Sequence, residues 1–140
     1  MPWTPSPGHD FSTATPWIPF SDGADQTNVQ TEDADPSSML TFYRQLLTFR
    51  RGHAVWGTGD MSLITLDNPT LLALVRQVAQ EAYLVVESFS EDPQQATGQV
   101  TNLPAVGPVV WGNGQASIDG TNLHVQLPGA GSAVFKLGAP

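Results

Sequence analysis

The spacing of hydrophobic residues changes twice along the chain and divides it into three stretches. Residues 1–35 follow no period and contain five prolines, which remove backbone donors and interrupt helices and central strands. Residues 36–51 repeat at helical spacing, whereas residues 60–140 form short apolar runs between turn signals. The sequence therefore predicts a mainly β fold, in which an N-terminal irregular loop and one α-helix precede a small antiparallel β-sandwich.

The helix predicted for residues 36–51 has a wide apolar side. Asp35 suits the N-cap, and Pro36 suits the first helical position, where its missing N–H is harmless. Gly52 can terminate the last turn. The apolar positions are Met39, Phe42, Tyr43, Leu46, Leu47 and Phe49. A loop and a small sheet offer too little surface to cover this side, so we expect residues 39–50 to need a further partner.

Seven strands are predicted after residue 60, separated by turn signals such as Asn68-Pro69 and Asp119-Gly120, the second of which predicts a hairpin. The predicted strands are 61–66, 71–77, 82–89, 108–111, 115–118, 123–127 and 133–137. Residues 68–82 also fit an amphipathic helix, and periodicity alone slightly favours that alternative.

Aromatic residues distinguish the N-terminal loop from a disordered linker, which would be poor in them. The loop contains Trp3, Phe11, Trp17, Ile18 and Phe20. We expect it to lie over a surface and to insert side chains there, with a proline-rich disordered arm as the alternative. Each of the four tryptophans is expected to be buried, and Trp3 is the best exception as a residue that stacks on sugar.

The charge of the chain argues against several classes of partner. Five Lys and Arg residues against thirteen Asp and Glu residues give a formal net charge of −8. Nucleic acids and anionic membranes attract clustered cations, so neither is expected as a partner. The lack of cysteine excludes disulfides and thiolate metal sites. With no signal-peptide pattern at its start and no long apolar segment, the sequence predicts a cytoplasmic protein.

An ordered series of short motifs runs from residue 1 to about residue 93. It consists of Met1-Pro2-Trp3, Phe11-Ser12, Pro16-Trp17-Ile18-Pro19, Asn28-Val29, Asp35-Pro36, Tyr43-Arg44, Gly59-Asp60, Leu74-Val75-Arg76 and Ser88-Phe89-Ser90. This series resembles bacterial α-glucosidases and oligo-glucosidases of glycoside hydrolase family thirteen, in the α-amylase superfamily. The resemblance implies that residues 1–52 are the last loop and helix of a β/α barrel. It implies that residues 53–140 are a C-terminal antiparallel β domain, and it favours strands at 70–77 and 82–89.

The resemblance also implies where the chemistry lies. The family's catalytic Asp, Glu and Asp belong to barrel strands that precede these motifs, so we expect no catalytic residue in this chain. The N-terminal loop borders the active-site face in the family, which makes Trp3, His9 and Phe11 candidate binding residues for an α-glucan or oligosaccharide. Two departures from the family pattern are Asp10, which inserts an acid into the loop, and Ser88, which replaces the usual Asn.

The acids and histidines of the chain form no evident catalytic pattern. Glycoside hydrolysis needs two carboxylates about 5–9.5 Å apart, whereas the acids here cluster in polar residues 22–35. The histidines lack metal-ligand spacing, so we expect no metal and no other cofactor. We expect His53 to serve the C-terminal end of the helix and His124 to be exposed on a strand.

Three functions fit the sequence. The first is a non-catalytic C-terminal portion of an α-glucosidase-like hydrolase, which braces the barrel of an enzyme that cleaves α-glucosidic bonds in oligosaccharides. The second is a stand-alone carbohydrate-binding β-sandwich, which would need coplanar exposed aromatic residues, whereas the predicted strands offer mostly Leu and Val. The third is an interaction domain that docks on a separate barrel chain, or on another copy of itself, through residues 39–50.

Overall fold

The computed structural model describes residues 2–79 and 81–138, and the chain divides into two compact units, Met1–Gly52 and His53–Pro140. In the first unit, a 3₁₀ turn at Pro7–Asp10 is followed by helix α1 (Val29–Ala34) and helix α2 (Met39–Arg51). The stretch 1–35 is therefore not wholly irregular, and the main helix begins three residues later than predicted. No helix of the described residues is long and apolar enough to cross a membrane.

Ser38, and not Asp35, caps helix α2. The Ser38 hydroxyl accepts a hydrogen bond from the backbone N–H of Thr41 at 3.1 Å and donates to the carbonyl of Glu32 at 2.6 Å. The Asp35 carboxylate instead accepts from the backbone N–H and the hydroxyl of Ser37, which closes a tight turn before the helix. The cap that the sequence predicted at Asp35 therefore lies at Ser38, and Asp35 stabilises the turn before the helix.

The second unit contains helix α3 (Val55–Thr58) and eight antiparallel strands. The strands are β1 (Asp60–Ile64), β2 (Leu71–Val78), β3 (Glu81–Ser88), β4 (Gln94–Gln99), β5 (Val106–Gly112), β6 (Gln115–Asp119), β7 (Asn122–Leu127) and β8 (Gly131–Leu137). One sheet has the order β1-β2-β3-β8-β5 and the other the order β4-β7-β6. The predicted mainly β fold with a small antiparallel sandwich is confirmed.

Period-two alternation forms the core between the two sheets. On β7, Leu123, Val125 and Leu127 are buried, while His124 and Gln126 between them are exposed. The inward side chains of both sheets meet in one hydrophobic cluster. Its fully buried members each contribute about 1.5–3 kcal/mol relative to exposure, so this cluster holds the sandwich together. The expectation that His124 is exposed on a strand is confirmed.

The predicted hairpin is present as β6–β7, although its loop is displaced by one residue. Asp119 pairs with Asn122, so the two loop residues are Gly120 and Thr121. Gly120 has a φ of 59°, a left-handed conformation that costs glycine little. The residues 71–78 that also fit a helix form strand β2, as the family resemblance implied.

The segment after β1 covers the free edge of β4. Leu66 forms a β-bridge with Gly98. The Asp67 N–H donates to the carbonyl of Thr97 at 3.0 Å, and the Asp67 carboxylate accepts from the Thr97 N–H at 2.8 Å. A Cβ on Gly98 would lie 2.8 Å from the carbonyl oxygen of Thr65, so only glycine allows this close approach. The covering segment thereby connects the two sheets at one side of the sandwich.

Candidate functional site

The three candidate substrate-binding residues lie close together in the N-terminal loop. The backbone N–H of Trp3 donates to the carbonyl of His9 at 2.9 Å. The rings of His9 and Phe11 both contact Phe20 edge to face, at centroid distances of 4.5 and 6.0 Å. Trp3 is 49% exposed and Phe11 is 58% exposed, so both aromatic side chains present surface to solvent.

The ring of His9 is oriented by the backbone. Its Nδ1 atom lies 2.9 Å from the carbonyl oxygen of Thr4. Because a carbonyl only accepts, Nδ1 carries the proton in this contact, and Nε2 of the neutral ring remains able to accept a hydrogen bond. His9 therefore has the hydrogen-bonding capacity to contact a sugar hydroxyl, in a ring orientation that Phe20 and Thr4 fix.

The backbone around His9 is strained. Gly8, His9 and Asp10 have φ values of 75°, 53° and 51°, three successive residues in the left-handed region. Each non-glycine residue there costs about 1–2 kcal/mol, and such strain persists in folded proteins mainly where the surrounding structure requires it. Sequence reasoning missed this feature, although Asp10 is the residue that departs from the family pattern.

Exposed aromatic and aliphatic groups continue along the loop. Trp17 is 92% exposed and Ile18 is 58% exposed, so the expectation of burial is wrong for Trp17. Trp3, which was named as the best exception to burial, is half exposed. Trp56 and Trp111 are half-buried. An open cleft of about 690 Å³ lies along Phe11, Trp17 and Phe20. Its prolines and aromatic rings make the walls predominantly apolar, which suits the C–H face of a sugar.

Helix α2, all of whose residues the structure describes, contains no buried side chain. Met39, Phe42, Tyr43 and Leu47 are each 43–62% exposed. A helix of ordinary amphipathic pattern buries this stripe, and the stability of most helices in proteins comes from such packing. The wide apolar side that the sequence predicted is therefore present and uncovered.

The outer face of the five-stranded sheet also carries exposed apolar groups. Met61 and Leu63 of β1 are 58% and 66% exposed. Leu63 lies opposite Leu74 of β2, and Leu72 on the same face of β2 is exposed as well. Contiguous apolar surface of this kind marks a site of protein interaction more often than an ordinary surface does.

A polar cluster occupies the start of β3. Nδ1 of His53 lies 2.6 Å from Oε1 of Glu81, and the Tyr83 hydroxyl lies 3.0 Å from the same nitrogen. The Glu81 carboxylate also accepts from the backbone N–H of Val55 at 3.3 Å. The expectation that His53 serves the end of the preceding helix missed these partners, because Glu81 and Tyr83 are distant in the sequence.

The pKa values of this cluster follow from its contacts. Burial opposes ionisation of Glu81, but hydrogen bonds from His53, Val55 and Tyr83 outweigh it and hold the pKa of Glu81 below its usual value. Burial, together with the hydrogen bond and the charge of Glu81, raises the pKa of Tyr83 to about 12. The cluster therefore favours an ionised carboxylate beside a neutral phenol, an arrangement that anchors α3 to the sheet.

Two further carboxylates, Asp35 and Glu87, have pKa values that are shifted in opposite directions. Hydrogen bonds from the side chain and backbone of Ser37 lower the pKa of Asp35, whereas a general acid needs a raised pKa. Burial raises the pKa of Glu87 on the outer face of β3, opposite Leu72 and Ser132. Across residues 2–79 and 81–138, no group of three or more His, Asp or Glu side chains is placed to hold a metal ion.

No family model matches the chain. The chain is similar over 91 residues to an oligo-1,6-glucosidase of Parageobacillus thermoglucosidasius, with 32% identity, and the match covers 65% of this chain and 16% of that enzyme. It is similar over its full length to the trehalose synthase/amylase TreS of Mycobacterium tuberculosis, with 31% identity, and covers 23% of that protein.

Solved structures share the fold. An isomaltulose synthase of Klebsiella sp. LX3 superposes with a TM-score of 0.75 at 23% identity, over 97% of this chain and 24% of that one. An isomaltulose synthase of Erwinia rhapontici NX5 superposes with a TM-score of 0.77 at 22% identity, over 99% of this chain and 24% of that one. The chain thus spans less than a quarter of the length of these relatives.

Proposed function

We propose that this chain is the non-catalytic C-terminal portion of an α-glucosidase-like hydrolase. Through its homology to oligo-1,6-glucosidases and trehalose synthases, the chain belongs to glycoside hydrolase family thirteen of the α-amylase superfamily. In this role, residues 53–140 brace a catalytic barrel and residues 1–52 complete its end. The barrel supplies the catalytic carboxylates, and the enzyme cleaves α-glucosidic bonds in oligosaccharides.

The uncovered apolar side of α2 carries this proposal. Met39, Tyr43 and Leu47 lie on a helix that has a well-formed cap at Ser38 and at Gly52, yet it buries none of its own side chains. Full burial of one large apolar side chain is worth about 1.5–3 kcal/mol. Met39, Tyr43 and Leu47 are about half exposed, so covering the rest of each side chain contributes about half of that value. On a barrel, α2 would form the last outer helix.

The exposed apolar groups on the five-stranded sheet support the same partner. Met61, Leu63 and Leu72 belong to a sheet face whose opposite side is the core of the sandwich. A second hydrophobic contact of this kind lets the second unit, residues 53–140, pack against a larger protein domain independently of α2. A face that stacks sugar rings would show exposed aromatic side chains, whereas the exposed apolar groups of β1 and β2 are Met61, Leu63 and Leu72.

We propose Trp3, His9 and Phe11 as residues of the substrate mouth. His9 and Phe11 both contact Phe20, and the backbone N–H of Trp3 donates to the carbonyl of His9. Together with the positive φ values at His9 and Asp10, these contacts indicate a loop held in one conformation. Preorganised aromatic and imidazole groups bind a sugar without the entropic cost of ordering the loop. These residues position substrate and take no part in bond cleavage.

Reconstitution tests the proposal. The chain is co-expressed with the barrel of the Parageobacillus thermoglucosidasius enzyme, from which the matching segment has been removed. Co-purification and hydrolysis of a nitrophenyl α-glucoside are expected for the wild-type chain. Leu47→Asp should reduce co-purification at least tenfold, because a charge would enter the apolar contact. Gln45→Asp, at an exposed polar position of the same helix, is the matched control and should bind normally.

Two results would refute the proposal. Hydrolysis of the α-glucoside by the isolated chain would show that it carries its own catalytic site. A Leu47→Asp variant that co-purifies as well as the Gln45→Asp control would show that the side of α2 is not the contact. If the isolated chain dimerises and Leu47→Asp abolishes the dimer without any effect on barrel binding, then self-association replaces the barrel as the role of α2.

A further inference from the structure

The outer face of the three-stranded sheet is built from hydrophilic residues alone. Strands β4, β6 and β7, which the structure describes completely, point their small and apolar residues inward. Nine positions point outward, and Asp119 is the one that bears a charge at neutral pH. None of the five Lys and Arg residues lies on these strands. Ordinary exposed faces mix charges of both signs, so a face with a single charged residue is unusual.

Register places the outward side chains in rows across the sheet. Gln126 lies opposite Gln95 on one side and opposite Gln115 on the other, which forms a row of three glutamines. Next to this glutamine row, His124 lies between Thr97 and Ser117. Neighbouring strands are about 4.8 Å apart and same-face residues about 7 Å apart along a strand, so the two rows cover an area of about 10 by 7 Å.

The glutamine row has unused hydrogen-bonding capacity. Within the part of the chain that the structure describes, the side-chain amides of Gln95, Gln115 and Gln126 make no hydrogen bond to protein. Gln99 and Asn122 belong to a third row on this face. By contrast with the glutamine row, these two side chains bond to each other, since the amide of Gln99 donates to the side chain of Asn122. The free amides border an open depression of about 440 Å³ that extends to Asp67.

These groups match one ligand chemistry. Each free amide offers two donors and one acceptor with two lone pairs, and adjacent sugar hydroxyls offer the same combination. An anionic ligand would meet no cation here and would be repelled by the net charge of the chain. A protein partner would need an apolar centre in its interface, which this face lacks. Hydrogen-bonding groups of this kind suit a neutral polyhydroxyl compound better than an anion or a protein.

We infer that the glutamine row and its neighbours form a second carbohydrate site, one that binds a neutral α-glucan chain. The choice of α-linked glucose rests on the proposed function, whereas the choice of a neutral sugar rests on the face itself. The site has no aromatic platform and exchanges hydrogen bonds with water for hydrogen bonds with sugar, so its affinity is low, on the order of 1 mM. In an enzyme, such a site holds a long substrate near the protein between catalytic cycles.

Nuclear magnetic resonance of the full chain labelled with ¹⁵N tests the inference, with maltoheptaose as the probe. The side-chain NH₂ signals of Gln95, Gln115 and Gln126 should shift, while those of Gln45 and Gln77 should not. The double variant Gln115→Ala/Gln126→Ala should bind at least tenfold more weakly, and Gln45→Ala should bind like the wild type. Unchanged circular dichroism of the double variant would show that it is folded.

Three outcomes would count against the inference in different ways. If no signal shifts at 10-fold the expected dissociation constant, about 10 mM probe, the face does not bind glucan. Shifts confined to the indole signals of Trp3 and Trp17 would place the sugar in the N-terminal loop instead. If cellohexaose binds equally well through the same amides, the face remains a carbohydrate site, but the preference for α-linkage, which rests on the proposed function, is refuted.

Discussion

Nδ1 of His53 lies 2.6 Å from Oε1 of Glu81, and this contact joins a residue two positions before α3 to the first residue of β3. The Glu81 carboxylate also receives the N–H of Val55, which is completely buried. The contacts of Glu81 therefore hold the segment that contains His53 and Val55 against strand β3 of the five-stranded sheet. Both side chains are about two-thirds covered, so the contact is screened less than an open surface ion pair.

Glu81→Gln should lower the free energy of unfolding by about 1 kcal/mol at pH 7, because a charged acceptor is replaced by a neutral one. The folded-state pKa of Glu81 lies below its ordinary value of 4.5. Its ionisation therefore stabilises the fold above pH 4.5, and this contribution is lost as the pH falls through the lowered pKa. Urea unfolding of both proteins between pH 7 and pH 3 measures the difference, which should shrink below pH 4.5. Glu91→Gln, in an exposed turn, is the control, and an equal loss in that variant would contradict the assignment.

The phenol of Tyr83 should ionise only in strong alkali. Its pKa is raised to about 12, so its neutral form stabilises the fold fully below pH 10, and this contribution is lost as the pH rises towards 12. Absorbance at 295 nm during alkaline titration should contain a phase near pH 12 that Tyr83→Phe removes. Tyr43→Phe is the control, since the chain has two tyrosines. A late phase that survives Tyr83→Phe would refute the prediction.

Gly112→Ala should destabilise the β unit by roughly 3 kcal/mol or more. The φ of Gly112 is 73°, and a Cβ would lie 1.8 Å from the carbonyl oxygen of Ser132 on the neighbouring strand. Gly120 has a similar φ of 59° but open space around it, so Gly120→Ala should cost about 1 kcal/mol for conformation alone. Thermal or urea unfolding of the two variants separates the steric cost from the conformational cost. Equal losses would mean that β5 and β8 leave room for a Cβ at Gly112.

Ser38→Ala should destabilise the N-terminal unit by about 1–2 kcal/mol, because it removes the helix cap and the hydrogen bond to Glu32 together. Asp35→Ala should cost less, since Asp35 is exposed and organises only the turn at Ser37. Helix content from circular dichroism and the midpoint of urea unfolding measure both effects. A larger loss for Asp35→Ala would restore Asp35 as the cap that the sequence predicted.

The sequence predicted the strands that carry β-branched and large aliphatic residues and missed the one that does not. Residues 94–99 read Gln-Gln-Ala-Thr-Gly-Gln, and their strand β4 exists because β7 pairs with them, Ala96 packs in the core and Gly98 allows the covering segment to approach. Helix α1 was missed as well, although Asn28 before Val29 is a good N-cap, because its six residues lack an apolar stripe.

The chemistry of the sites was less predictable than the fold. His53, Glu81 and Tyr83 meet only because β3 returns beside α3, and no spacing in the sequence records that contact. The glutamine row likewise depends on the register of three strands, two of which are joined through a hairpin. By contrast, the apolar side of residues 39–50 was evident, since helical periodicity reports an amphipathic face whether or not a partner covers it.

The cover over β4 has a consequence for association between chains. A strand at the end of a sheet exposes a row of backbone donors and acceptors on which another chain can add its own strand. Leu66 and Asp67 occupy that position beside Thr97 and Gly98, so the amide and carbonyl of Thr97 are already engaged. The three-stranded sheet cannot lengthen from this side by recruiting a strand of another molecule, which protects a short polar sheet from fibril-like growth there.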